Sequence, residues 1–178
     1  WNEGPLQSFL IELTANVLRR ADVDGTPLVE QILDVAEQKG TGRWTVQTAV
    51  ELGVAIPAIS AAVDARVLSG GHAARRTIAK SLPRPGGGIT GPSIQTFHDA
   101  LLTAKICAYA QGFQLLHAGN DAFGWSARAS EVARVWTGGC IIRARLLDDI
   151  KAAFESDPGL ENLILAPRFI CLLYTSDA

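Results

Sequence analysis

The sequence predicts an all-α domain, and three observations favour this class over one that contains a sheet. Apolar residues recur at helical spacing through most of the chain. Glycine and proline stand where those stretches begin and end. No series of alternating apolar and polar residues suggests a set of paired strands. The 178 residues suffice for one domain with a sizeable core, and 48% of them are hydrophobic, which indicates a globular chain.

The first 40 residues predict two helices joined by a tight turn. Pro5 suits the start of a helix, and the first helix is expected to run from there to Arg20. Asp22-Val23-Asp24-Gly25 indicates a turn. The second helix is expected to end at Gly40, which would be its C′ residue. Its apolar face would consist of Leu28, Val29, Ile32, Leu33 and Ala36.

The middle of the chain predicts three further helices and one loop. Helices are expected over 44–52 and 57–68. Residues 81–92, rich in proline and glycine, form the clearest loop. Ser93 suits the N-cap of a long helix that ends near Gly119. A stripe of small residues on that helix would let another helix approach closely. The stripe consists of Ala100, Ala104 and Ala108.

The last third of the chain predicts an interrupted helical region. A helix is expected from about Ser130, and Gly138-Gly139 would interrupt or bend it. An apolar stripe from Ile142 to Phe154 then continues at helical spacing. Asp157-Pro158-Gly159 would end this last helix.

The strongest functional signal lies in Gln38-Lys39-Gly40-Thr41-Gly42-Arg43-Trp44-Thr45. Glycines let backbone N–H groups approach an anion, and Lys39 and Thr41 add a charge and a hydroxyl. Arg66, late in the helix over 57–68, could point back to this turn and hold a phosphate in bidentate fashion. On the residues alone, a helix C-cap with a solvated lysine is slightly favoured over a phosphate site. Arg43 is ambiguous, and Trp44 is expected to anchor the core.

Other functional classes lack their sequence signals. The Gly40-Thr41-Gly42 spacing is not a dinucleotide fingerprint, because the third glycine is missing and a helix is predicted before it. The histidines His72, His98 and His117 have no metal-ligand spacing, so no metal is expected. No catalytic serine triad or carboxylate pair stands out. The net charge of −2 argues against nucleic-acid binding, and no apolar stretch is long enough to span a membrane.

Several segments, in order, resemble the C-terminal helical domain of 6-phosphogluconate dehydrogenase. The resemblance covers about residues 1–169, while residues 170–178 do not match and are expected to be a foreign tail. The family more often has arginine where this chain has Thr137. The matching segments are Trp1–Glu12, Gln38–Thr45, Ala62–Ser69, Tyr109–Phe113, Phe123–Trp125 and Trp136–Arg143.

The resemblance implies a function and a ligand set. In the family, the residues that match Lys39, Thr41 and Arg66 hold the substrate phosphate. The implied reaction is the NADP-dependent oxidative decarboxylation of 6-phosphogluconate to ribulose 5-phosphate and CO₂, in the pentose phosphate pathway. The family is a cytoplasmic homodimer, which implies a second copy of the chain as partner and neither nucleic acid nor membrane.

The same resemblance implies that part of the enzyme lies outside these residues. The family's Rossmann domain, its catalytic lysine and its catalytic glutamate match nothing here, so no catalytic or cofactor-binding residue is assigned. The chain contains no methionine and begins within the resemblance, which predicts a piece of a longer protein without dehydrogenase activity of its own. Two alternatives are a non-catalytic helical structural or interaction domain and a related β-hydroxyacid dehydrogenase.

Overall fold

The computed structural model describes residues 1–83 and 91–174, and it confirms the all-α class. Within these ranges the chain forms eight α-helices, two short 3₁₀ turns and no strand longer than an isolated bridge. The 3₁₀ turns are Leu28–Gln31 and Leu163–Leu165. The helices are α1 (Phe9–Leu18), α2 (Thr41–Glu51), α3 (Pro57–Gly70), α4 (His72–Ser81), α5 (Ile94–Phe123), α6 (Ala129–Trp136), α7 (Leu146–Ser156) and α8 (Pro167–Tyr174).

Helix α5 is the longest of these elements, with 30 residues. It begins as predicted, because the Ser93 hydroxyl accepts a hydrogen bond from the Thr96 amide over 3.1 Å. The predicted stop near Gly119 is wrong, since the helix continues to Phe123 and ends at Gly124, where φ is +66°. Gly119 is buried inside the helix, and a Cβ there would lie 3.1 Å from Cζ3 of Trp125. This glycine therefore permits close packing of the tryptophan.

The hydrophobic core lies in the second half of the chain. It is built on α5, α6, α7 and α8, and Leu6 joins it from the N-terminal segment. The ring of Phe113 packs against Trp136 at 5.5 Å and against Phe154 at 4.9 Å between ring centroids. The other core residues are Leu102, Ile106, Ala110, Ala129, Ala133, Leu146, Leu147, Ile150, Leu160, Leu163, Ala166 and Phe169.

Short backbone pairings hold the N-terminal segment against this core. The Phe9 amide donates to the carbonyl of Arg143 over 3.2 Å, and the Arg145 amide donates to the carbonyl of Gln7 over 3.0 Å. These bonds bring the start of α1 to the irregular stretch between α6 and α7. The predicted interruption at Gly138-Gly139 is confirmed there, because α6 ends at Trp136 and α7 begins only at Leu146.

Helices α1 to α4 bury much less apolar surface than the core helices. Ala49 is buried in α2, whereas α1, α3 and α4 contain no buried residue. A polar contact ties α3 to α5, since the side-chain oxygen of Gln111 accepts from the Ala58 amide over 2.9 Å. That bond satisfies an amide in the first turn of α3, which would otherwise lack a partner in the helix.

The second predicted helix is wrong. Only Leu28–Gln31 forms a 3₁₀ turn, and residues 32–39 are irregular. The proposed apolar face is exposed at Ile32 and Leu33. Gly40 is consequently not the end of a helix but the N-cap residue of α2, with φ of +97°. Helix α2 begins three residues before the predicted position, and α4 was not predicted because it contains little apolar sequence.

Two expectations fall partly outside the described residues. The loop predicted over 81–92 contains residues 84–90, which are not described. The tail predicted over 170–178 contains 175–178, which are also not described, and its proposed start lies inside α8. None of the helices over residues 1–83 and 91–174 combines the length and apolar character that a bilayer crossing requires.

Candidate phosphate-binding site

The Lys39 turn lies at the N-terminus of helix α2. The first helical bond runs from the Trp44 amide to the carbonyl of Gly40 over 3.0 Å. The amides of Thr41, Gly42 and Arg43 therefore precede the first helical bond and lie at the positive end of the helix dipole. The first turn of α2 contains no acidic side chain. This arrangement is more favourable for an anion than the helix C-cap that was the simplest sequence interpretation.

The structure brings Arg66 to the segment before this turn. One terminal nitrogen of its guanidinium donates to the carbonyl oxygen of Glu37, two residues before Lys39. The predicted orientation of Arg66 toward the turn agrees with this contact. The other N–H groups of the guanidinium remain for a ligand, because arginine has several donors in a planar fork.

Close approach of α2 and α3 supports the same geometry. A Cβ added at Gly42 would lie 3.0 Å from Cγ2 of Val63, so glycine lets the two helices meet one turn before Arg66. Lys39 and Thr41 are exposed. Within the described part of the chain, neither the Lys39 amine nor the Thr41 hydroxyl has a hydrogen-bond or ion-pair partner. Both groups are available to a ligand.

The structure places Arg43 near the turn and contradicts the predicted role of Trp44. The position that a Cβ of Gly40 would occupy lies 4.0 Å from a terminal nitrogen of Arg43, so this guanidinium folds back over the turn. Arg43 is thus a further cation at the site. The expectation that Trp44 anchors the core is wrong, because its side chain is 60% exposed. Helix α2 buries Ala49 instead, and Trp44 lies at its solvent-facing first turn.

A second polar cluster lies beside the site, and sequence reasoning missed it. The carboxylate of Asp34 accepts from Arg75 over 2.7 Å and lies 3.3 Å from Nε2 of His72. The hydrogen bond from Arg75 is the main cause that lowers the pKa of Asp34 below its ordinary value. No local motif could have revealed this cluster, because its partners are about 40 residues apart in the chain.

Lys105 and Tyr109 are the titratable groups in the wall of another cavity. A mostly apolar cleft of about 530 Å³ lies between α1, α5 and the segment after α6, with Lys105 and Tyr109 in its wall. Burial lowers the pKa of Lys105, and burial raises the pKa of Tyr109 to about 12. The Tyr109 hydroxyl donates to the carbonyl of Ile142 over 3.0 Å. Across residues 1–83 and 91–174 there is no group of three or more potential metal ligands.

Comparison with known proteins gives a consistent result. The family model described as "6-phosphogluconate dehydrogenase, C-terminal domain" matches residues 1–176. A relative from Synechococcus elongatus, named 6-phosphogluconate dehydrogenase, decarboxylating, is 51% identical over 95% of this chain and 37% of its own length. A relative of the same name from Schizosaccharomyces pombe is 46% identical over 95% of this chain and 35% of its own length. The chain thus spans little more than a third of these relatives.

A solved structure shows the same fold. It is the 6-phosphogluconate dehydrogenase of Plasmodium falciparum, determined in its apo form, with its cofactor NADP⁺ and with its substrate 6-phosphogluconate. It superposes on this chain with a TM-score of 0.87 at 38% identity. The match covers 97% of this chain and 38% of the other.

Proposed function

The chain belongs to the 6-phosphogluconate dehydrogenase family, and from that membership we propose that it is the substrate-binding and dimerisation part of a decarboxylating dehydrogenase. The reaction would convert 6-phosphogluconate to ribulose 5-phosphate and CO₂ with NADP as oxidant. The observation that supports this proposal is the bond from Arg66 to the carbonyl of Glu37, because Glu37 lies two residues before Lys39 and four before Thr41, the first residue of α2.

The proposed role of these groups is to bind a phosphate dianion at the end of the sugar acid remote from the reacting carbons. Lys39 would contribute a point charge, Thr41 a hydroxyl donor and Arg66 a planar pair of donors. The amides at the start of α2 would complete the shell. Binding energy from such a remote group orients the substrate for hydride transfer elsewhere in the enzyme.

The chain is not assigned a part in holding NADP. A dinucleotide site of the Rossmann type needs a strand followed by a glycine-rich turn into a helix. The described residues contain no such strand. The 178 residues alone are therefore proposed to lack dehydrogenase activity, and turnover of 6-phosphogluconate by the purified chain would overturn this part of the proposal.

A second copy of the chain is the proposed partner, in a cytoplasmic homodimer. The alanine stripe on α5 supports it, because Ala100 and Ala104 are exposed among the described residues. Large apolar side chains on α1 are also exposed, including Leu10, Leu13 and Leu18. Sedimentation equilibrium over a range of concentrations would test this partner. Residues 1–169 remain the proposed extent of the family domain, with a foreign tail over 170–178.

Titration of the purified chain with 6-phosphogluconate and with gluconate tests the phosphate site. We expect tighter binding of the phosphorylated acid, weakening with salt, and amide shifts in NMR spectra at Thr41, Gly42 and Arg43. An interaction domain without a phosphate site would respond to neither compound. Equal binding of both acids, or shifts confined to other helices, would contradict the proposal.

A further inference from the structure

The backbone just before the Lys39 turn has almost no secondary structure of its own. Between the 3₁₀ turn at Leu28–Gln31 and the start of α2, the chain has one internal backbone bond, from Val35 to Leu33. Side chains from α3 and α4 bind the polar backbone groups of Asp34, Ala36 and Glu37 instead. The conformation of this segment therefore depends on those side chains.

Ser69, near the end of α3, makes two of these bonds with one hydroxyl. The hydroxyl accepts from the Ala36 amide over 2.9 Å and donates to the carbonyl of Asp34 over 3.2 Å. The hydroxyl thus supplies both an acceptor and a donor to backbone groups of a segment that makes almost no backbone bonds of its own. An alanine at this position would leave the half-buried Ala36 amide without its partner.

Arg75, in the first turn of α4, joins three groups with one guanidinium. One terminal nitrogen donates to the carboxylate of Asp34 over 2.7 Å. The other donates to the carbonyl of Asp34 over 2.8 Å and to the carbonyl of Ser69 over 3.0 Å. The planar fork therefore fixes the irregular segment against the junction of α3 and α4. A lysine could supply one charge there but not this set of directions.

We propose that Asp34, Ser69 and Arg75 are positioning residues for the phosphate site, which set the backbone that carries Lys39 and receives Arg66. This inference rests on the proposed function. Glu37 lies between the bonded groups and the turn, and its carbonyl binds Arg66. A shift of residues 34–37 would move both Lys39, two residues on, and the anchor of Arg66. The network therefore positions both Lys39 and the anchor of Arg66 through one short segment of backbone.

Two substitutions test the proposal on the 178-residue chain, each with a matched control. Arg75→Lys keeps the charge but removes the fork, and Arg76→Lys makes the same change at the exposed neighbour. Ser69→Ala removes the hydroxyl, and Ser60→Ala does so on the same helix, where the hydroxyl has no bond among the described residues. Ser69→Thr should restore the hydroxyl and with it the binding.

Two readouts separate positioning from general stability. The first is the dissociation constant for 6-phosphogluconate, measured beside that for gluconate. The second is hydrogen exchange at the Ala36 amide, compared with exchange in α5. We expect Arg75→Lys and Ser69→Ala to weaken 6-phosphogluconate binding roughly tenfold and to speed exchange at Ala36. Exchange in α5 and binding by the two controls should stay unchanged, and Ser69→Thr should restore the affinity.

The outcomes distinguish this inference from the proposed function. If the unmodified chain prefers 6-phosphogluconate to gluconate but the two variants bind it equally well, the positioning role is overturned and the phosphate site stands. If the unmodified chain shows no such preference, both the proposed function and this inference are overturned. If Ser69→Ala does not fold, Asp34→Asn tests the proposal instead, because it preserves the carbonyl acceptor and weakens only the contacts of the carboxylate with Arg75 and His72.

Discussion

In the proposed site, the guanidinium of Arg66 would contact the protein and the ligand through different nitrogens. One nitrogen donates to the carbonyl of Glu37, which holds the side chain toward the Lys39 turn. The remaining donors would face the phosphate. The residue thus combines an internal anchor with a binding group, and its entropy is already reduced before the ligand arrives.

Replacement of Arg66 by alanine should weaken binding of 6-phosphogluconate by about 1.5–3 kcal/mol, the usual contribution of a hydrogen bond to a charged group. Isothermal titration of the unmodified and substituted chains measures this difference. Arg76→Ala is the matched control, because Arg76 is an exposed arginine on α4 with no bonded partner in the described part of the chain. An unchanged affinity of the Arg66 variant would remove this residue from the site.

Tyr109 should ionise unusually late, since burial raises its pKa to about 12 from an ordinary value of 10.0. The folded protein favours the neutral phenol. The stability that this provides is fully present below pH 10 and is lost as the pH rises through about 12. The chain has two tyrosines, so in the Tyr174→Phe variant the absorbance of tyrosinate reports Tyr109 alone. A midpoint near pH 10 while the helices remain folded would contradict the assignment.

Among the elements, α5 organises the molecule because its buried face contacts the core side chains of α6 and α7. Phe113 lies at the centre of this contact, between Trp136 of α6 and Phe154 of α7. Phe97, near the N-terminal end of the same helix, is 55% exposed. The two phenylalanines therefore separate the contribution of packing from that of helix propensity.

Phe113→Ala should lower the free energy of unfolding by about 3–5 kcal/mol, because it removes a large buried ring and leaves a cavity. Phe97→Ala changes the same residue type on the same helix and should have an effect within about 0.5 kcal/mol. Urea unfolding followed by circular dichroism measures both. Similar losses for the two variants would show that the core does not depend on the contact between α5, α6 and α7.

The elements also show which features could be predicted from sequence. The start of α5 was predicted correctly, because an N-cap serine acts on an amide three residues away. The helix predicted before Gly40 was wrong, because Ser69 and Arg75 bind its backbone from more than 30 residues away. Lys39, Thr41 and Arg66 were proposed as site residues from local motifs and a family resemblance, and their binding role stays a prediction. The Asp34 network, with no local pattern, required the structure.

At the scale of the whole molecule, the two halves of the chain differ in burial. The buried core cluster consists of Leu6 and of residues that lie between Leu102 and Phe169. Helices α1 to α4 together contain one buried residue, Ala49. Polar contacts such as that between Gln111 and the Ala58 amide help to hold the first half in place. Regions with few buried apolar contacts open at a lower free energy than the core.

Native-state hydrogen exchange should therefore show two levels of protection. Amides of α1 to α4 are expected to exchange through local openings well below the global free energy of unfolding, and the buried face of α5 only through global unfolding. Binding of 6-phosphogluconate should selectively slow exchange in α2 and α3, which form the proposed site. Uniform protection along the chain would contradict this division.

Leu6 has a consequence for synthesis on the ribosome. Its side chain is fully buried in a cluster that also contains Phe169, so the core cannot close until almost the whole chain has emerged. At about 5–20 residues per second, synthesis from Leu6 to Phe169 takes roughly ten to thirty seconds. In its first part, before residues 94–123 are made, α3 lacks the surface of α5 on which it docks. The side chain of Leu6 lacks its full set of buried neighbours until Phe169 has been synthesised.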